Sequence, residues 1–297
     1  TQGVSSAASD VYKRQPKIKF YRKNIPFFYS ICVKYNMNTN IDIEIPELND
    51  YGLISYTEIN NDSISLAYVS LGNPSGIPII MLIGLACSHR LWDKRLIHHL
   101  LQANYRVILF DYRDSGDSTK SSNLGLPWMR WKYAKHKLGV HVGSSYTLES
   151  MADDLLLLME ATQIKQTHLI GLSLGGMIGQ IFAAKYPERT LSLVSMMSTT
   201  GARHLPTSNP GSFRNIVRIM HKIYRGNKEY TEKLENLGIN PEAMLRQIAT
   251  IWNAGDRSEV VSTIDVPTLV LHGGDDILLP VEHGKHTAEL ILSLIHI

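Results

Sequence analysis

Cysteine is nearly absent: Cys32 and Cys87 are the only two in 297 residues, and they lie far apart. That spacing argues against a disulfide framework and makes a reducing compartment the default. No stretch approaches the ~18 to 20 consecutive apolar residues of a spanning helix, so no membrane partner is expected. Internal repeats and low-complexity tracts are missing as well. Histidines at metal-ligand spacing are also lacking; His98 and His99 are adjacent on a helical segment and face different directions. No metal or other cofactor is expected.

What is present points to a large folded unit. A 44% hydrophobic content over this length suits one large domain, or a domain plus a cap. The net charge of +3 hints at an acidic partner, but residues 1–36 hold seven Lys/Arg against the single acid Asp10 and leave −3 for the rest. No nucleic-acid partner is therefore expected. Residues 1–36 also look foreign. Segment 10–15 and the terminal segment 292–297 can be encoded by one stretch of DNA read on opposite strands, as in a translated sequencing-library transposon end. Both are set aside as scars, 1–36 is expected to be disordered read-through, and the native chain is expected to be cut at both ends. The apolar run 25–33 lacks a small-residue cleavage site and Met37 reads as an ordinary start, so a cytoplasmic location is expected.

From residue 51 the pattern is regular. Residues 54–59 and 64–69 alternate around Asn60-Asn61-Asp62-Ser63 and predict an antiparallel hairpin. Continuous apolar runs at 79–83, 106–110, 167–170 and 191–197 predict strands covered on both faces, as in a parallel sheet. Helical patterns at 92–103, 147–162 and 174–185 lie between them, with Thr147 as an N-cap. This alternation predicts a doubly wound, mostly parallel α/β fold. The rhythm breaks between 200 and 262, where helical periods at 216–224, 230–237 and 241–254 have no strand among them. The expected organisation is a core of residues 37–199 and 263–291 with a helical cap at 200–262, whose Phe213 and Trp252 are expected to face a pocket.

The chemistry concentrates at residues 168–177, a short apolar run followed by Gly171-Leu172-Ser173-Leu174-Gly175-Gly176. Strand, tight turn and helix start in that order form the context a nucleophile elbow requires, and they make Ser173 the candidate nucleophile. A serine hydroxyl needs a base, an orienting acid and donors for the developing oxyanion. Asp276 is the candidate acid, at the end of a later strand in His272-Gly273-Gly274-Asp275-Asp276. The amide of Leu174, at the helix N-terminus, and that of Leu85, beside Gly84, are the candidate oxyanion donors.

These segments resemble the α/β-hydrolase superfamily. Residues 82–85, 110–118, 171–178 and 196–201 are similar in particular to bacterial carboxylesterases of the aclacinomycin methylesterase type, over about residues 51–291. The resemblance implies loop-building roles for Asp111 and Arg113. It also implies a basic histidine on a loop after a final strand, in a Gly-x-Gly-His-like turn. His283 and His286 follow the acid too closely and His296 lies in the scar, so the last strand and the catalytic histidine are expected to be missing. The activity implied is hydrolysis of a small-molecule carboxylic ester, with the chain itself nearly inactive. The alternative is a non-catalytic ligand-binding or sensor protein of the same fold.

Overall fold

The computed structural model describes residues 55–59, 64–120, 128–208, 210–236 and 238–291. Segments 1–36 and 292–297, Cys32 and the Phe213 side chain lie outside what is described. Strands β1 (Ser55–Ile59) and β2 (Ile64–Gly72) form the expected antiparallel hairpin, with Ile59 opposite Ile64. Strand β2 pairs antiparallel with β4 (Arg106–Phe110), which pairs parallel with β3 (Pro78–Leu82). Strands β5 (Thr167–Leu172), β6 (Thr190–Met196) and β7 (Thr268–Leu271) continue the parallel part, giving the order β1-β2-β4-β3-β5-β6-β7. Ile79 to Leu82 and Val107 to Phe110 are buried at every position, as continuous apolar runs require when both faces are covered.

Helix α1 (Lys94–Gln102) connects β3 to β4, and its start is set by the Asp93 side chain accepting from the Arg95 amide. Helix α2 (Met129–Leu138) follows β4 and has no counterpart in the predicted elements. Helix α3 (Leu148–Ala161) begins at Thr147 as expected. The Thr147 hydroxyl accepts from the Ser150 amide and the Ser150 hydroxyl accepts in return from Thr147 N–H. Helix α4 (Leu174–Lys185) leaves β5 directly and is buried from Leu174 to Ala183. The chain winds from β3 outward to β4 and then returns past β3 to β5, so the sheet changes direction between β3 and β5. Ligands of open α/β sheets gather outside the strand carboxyl ends at such a point.

Among the described residues, four helices and no strand lie between β6 and β7: α5 (Pro210–Tyr224), α6 (Lys228–Asn236), α7 (Pro241–Ala254) and α8 (Ser258–Ser262). The entry and exit of this insertion are fastened to each other. Arg257 N–H donates to Thr200 O at 2.8 Å, and its Nη2 donates to Thr199 O at 2.6 Å. Burial pushes the Arg257 guanidinium down to about 10, which leaves it charged at neutral pH beneath the neck of the insertion. The last helix is α9 (Glu282–Leu290).

Candidate active site

Ser173 stands between β5 and α4 with φ 54° and ψ −112°, a backbone conformation that costs a non-glycine residue of order 1–3 kcal/mol. The surroundings hold it there. Ser173 N–H donates to Met196 O at 2.8 Å, and its own carbonyl accepts from Ser198 Oγ at 2.9 Å. The side chain makes no capping bond to its helix, so the hydroxyl is left uncommitted at the sheet's carboxyl edge. The flanking glycines are there for space. A Cβ on Gly171 would lie 2.5 Å from Gly175 O, and one on Gly175 would lie 2.0 Å from Leu82 O. A Cβ on Gly176 would meet the Ser198 Cβ at 2.6 Å.

The loop after β3 lies alongside. A Cβ built on Gly84 would be 3.8 Å from the Ser173 Cβ, which sets the Gly84-Leu85 backbone next to the serine. Leu174 carries the first amide of α4 and has no intrahelical acceptor, and among the described residues no acceptor takes the Leu85 amide. These amides are the two the sequence nominates as oxyanion donors.

The shape of that loop depends on the helical insertion. Ala86, at φ 57°, donates its N–H to Gln247 Oε1 at 2.6 Å and accepts at its carbonyl from Asn240 N–H at 3.1 Å. Ser88 N–H reaches Gly238 O at 2.9 Å, and Cys87 bridges antiparallel to Ile239. From the sheet side, Tyr112 Oη donates to Ile83 O at 2.9 Å. Gln247 is fully buried and its Nε2 donates to Ser115 Oγ at 2.9 Å, so one side chain of α7 bonds the loops after β3 and after β4. Its neighbour Arg246 forks onto Asp114, with Nη2 3.0 Å from Oδ1 and both residues buried.

Asp111 and Arg113 build the β4 loop. Burial alone would raise the Asp111 carboxyl, but the bonds from His89 and from the Asp117 amide outweigh it and hold it below the usual carboxylate range. Arg113 Nε donates to Asp154 Oδ2 at 2.6 Å, tying the loop to α3. His89, Asp111 and Asp117 place three possible ligand atoms within 4.8 Å of one another. Their mutual pairing and Arg90 already occupy them: His89 Nδ1 is 3.0 Å from Asp111 Oδ1, and Arg90 Nη2 is 2.7 Å from Asp117 Oδ2. The set carries no metal assignment.

Asp276 lies in the turn after β7, on the same edge of the sheet as Ser173 because β5, β6 and β7 are parallel. Its Oδ1 accepts from the Leu278 and Leu279 amides at 2.8 and 3.0 Å, and Oδ2 lies 3.7 Å from His272 Nε2. Asp275 is exposed, whereas Asp276 is half-buried. The two histidines of α9 are engaged elsewhere. His283 Nδ1 is 2.7 Å from Thr199 Oγ1 and its Nε2 is 2.9 Å from Pro206 O; His286 Nε2 is 3.1 Å from Ser258 Oγ. Burial lowers the His283 pKa, which favours the neutral ring between those two partners. No described side chain is hydrogen-bonded to Ser173 Oγ. Trp252, expected to face a pocket, instead packs on α2, with its ring 5.4 Å from Tyr133 and stacked on His136 at 5.7 Å.

Sequence reading missed Gln247, Asn240 and the Asp114–Arg246 pair. Each acts across more than a hundred residues of chain, and no local pattern announces such a contact.

Rhodomycin D methylesterase DauP of Streptomyces sp. (strain C5) is 31% identical over 139 residues, which is 47% of this chain and 41% of that protein. The chain thus spans less than half the length of that relative. The bifunctional esterase/perhydrolase DCH of Acinetobacter calcoaceticus is 23% identical over 259 residues, 77% of this chain and 86% of the relative. Among solved structures, a thermophilic esterase from Thermogutta terrifontis superposes with a TM-score of 0.59 at 22% identity, over 82% of this chain and 88% of that one. A family model for the alpha/beta hydrolase fold matches residues 77–233, a span that takes in the β3 loop, the strained serine and its helix. By that match, and by the sheet order and elbow that underlie it, the chain belongs to the alpha/beta hydrolase fold family.

Proposed function

We propose that the protein is a serine hydrolase that cleaves a carboxylic ester of a small to medium apolar substrate through an acyl-enzyme. Ser173 Oγ attacks the acyl carbon while a histidine takes its proton, and Asp276 orients that histidine. The amides of Leu85 and Leu174 hold the oxyanion of the tetrahedral intermediate, which collapses with transfer of the proton to the leaving alcohol. Water, deprotonated by the same histidine, then cleaves the acyl-enzyme. Residues 200–262 act as the cap that sets substrate preference, over a core of residues 37–199 and 263–291.

The observation that carries this reading is Ser173 itself: a non-glycine residue at φ 54° with an uncommitted hydroxyl beside two unclaimed amides. A binding protein has no use for that strain. The activities of the methylesterase and the esterase/perhydrolase support the same reaction class. One observation favours the non-catalytic, ligand-sensing alternative: no described histidine reaches Ser173.

Hydrolysis of p-nitrophenyl esters separates the two. This chain should turn over slowly, because no described histidine is hydrogen-bonded to Ser173 and a serine triad without its base is slower on the order of a million-fold. A chain extended by a strand and histidine-bearing loop from a relative should gain several orders of magnitude, all of it lost in Ser173→Ala. Rapid turnover by the unextended chain that disappears in His283→Ala or His286→Ala would overturn the assignment of the base. An extended chain that stays inert would favour the sensor.

A further inference from the structure

Helix α2 turns one face to the protein and the other to solvent, and the solvent face is apolar. Met129 is buried, and Tyr133 and His136 pack on Trp252. On the opposite side, Trp131, Ala134 and Leu138 succeed one another at helical spacing, with Trp131 62% and Leu138 77% exposed. Trp128 just before the helix is 81% exposed and Val140 just after it is 54% exposed. Isolated exposed apolar residues are ordinary, but two tryptophans and two aliphatics gathered on a single element mark a contact surface.

The charge on α2 itself is of one sign. Arg130 and Lys137 are exposed on one flank, and Lys135 lies on the other with its Nζ 5.9 Å over the Trp131 ring. Lys132 points inward, to the carbonyls of Val142 and Gly143. From residue 118 to residue 148 the sequence contains no Asp or Glu. A tryptophan-bearing apolar stripe edged by lysine and arginine, on a helix that carries no acid, is the pattern of a helix that lies in a lipid interface.

We infer that the outer face of α2 docks on an anionic phospholipid surface, with Trp128, Trp131 and Leu138 entering the headgroup boundary and Arg130, Lys135 and Lys137 meeting lipid phosphates. This contact is peripheral. No described helix is long and apolar enough to cross a membrane, and the expectation of no membrane partner rested on that absence alone. The inference stands apart from the hydrolase reading, since its readout needs no turnover.

Flotation with vesicles of phosphatidylcholine alone, and of an equal mixture of phosphatidylcholine and phosphatidylglycerol, tests it. The chain should float with the mixed vesicles at low salt, remain behind with the neutral ones, and shift its tryptophan emission to the blue on binding. Lys135→Ala with Lys137→Ala should weaken binding roughly twenty-five-fold, at about fivefold per cation removed near the surface. Trp131→Ala with Leu138→Ala should weaken binding and leave only the smaller emission shift of Trp128, at an unchanged thermal midpoint, because both substituted side chains face solvent. The two pairs of substitutions are independent, so a failure of either to fold leaves the other as the test. Equal binding to both vesicle types, or binding indifferent to both variants, would overturn the inference. So would absence of vesicle binding together with a dimer that Trp131→Ala dissolves, which would assign the face to a second copy of the chain.

Discussion

Ser173 at φ 54° and ψ −112° is a conformation that glycine tolerates and serine does not, so its Cβ is a measurable burden on the fold. Ser173→Gly should raise the thermal midpoint by about 2 °C, the shift that ~1 kcal/mol produces in a domain of this size class. Gly175→Ala should lower it sharply, because the added carbon would lie 2.0 Å from Leu82 O. A calorimetric scan of the two variants checks both signs; a neutral Ser173→Gly would mean the strain is absorbed elsewhere. Arg246 is the second informative residue. Arg246→Met leaves the Asp114 carboxylate buried without its fork and should cost about 3–5 kcal/mol in urea unfolding, with part of the loss recovered by adding Asp114→Asn. The contrast between these two residues shows what a sequence displays. Ser173 announces itself because the glycines that mark its turn, Gly171 and Gly175, lie within five residues of chain. Asp114 and Arg246 are 132 residues apart, and each looks like an ordinary surface charge until the fold buries them together.

Helix α7 reaches into the loop after β3. Through Gln247 and the preceding Asn240 it fixes the backbone of Ala86, one residue from the Leu85 amide. In a catalytically competent, extended chain, Gln247→Leu should lower kcat about tenfold or more with KM little changed, since it would displace a transition-state donor rather than a substrate contact. Gln247→Glu keeps the acceptor for Ala86 and should recover part of the rate; equal losses in both variants would show that the bond to Ser115 matters instead. The strands and the helices of the core follow from apolar period alone, because parallel strands buried on two faces leave continuous runs. The same logic hid α2. Its apolar residues divide between an inward set at Met129, Tyr133 and His136 and an outward set at Trp131, Ala134 and Leu138, so no single hydrophobic face stands out. The role expected for Trp252 failed for a related reason: period says that a side chain is on a buried face, but not which neighbour buries it.

At the scale of the whole molecule the sheet has two open ends among the described residues. Among the described residues the sheet ends at β1 on one side and at β7 on the other, and Leu271 of β7 is 45% exposed. An uncovered edge is a template for another chain. Light scattering after size-exclusion chromatography should therefore show mass rising with concentration, and Leu271→Lys should suppress the rise; a single mass at all concentrations would refute it. The bonds that join Ala86, Cys87 and Ser88 to residues 238–240 bear on how such proteins diverge. Where roof and wall are sewn together, neither can be inherited alone. A chimera that imports a foreign segment at 200–262 while keeping the native 84–88 should distort the 84–88 loop and, on the proposed mechanism, lose turnover, and the transplant should take only when both pieces come from the same donor.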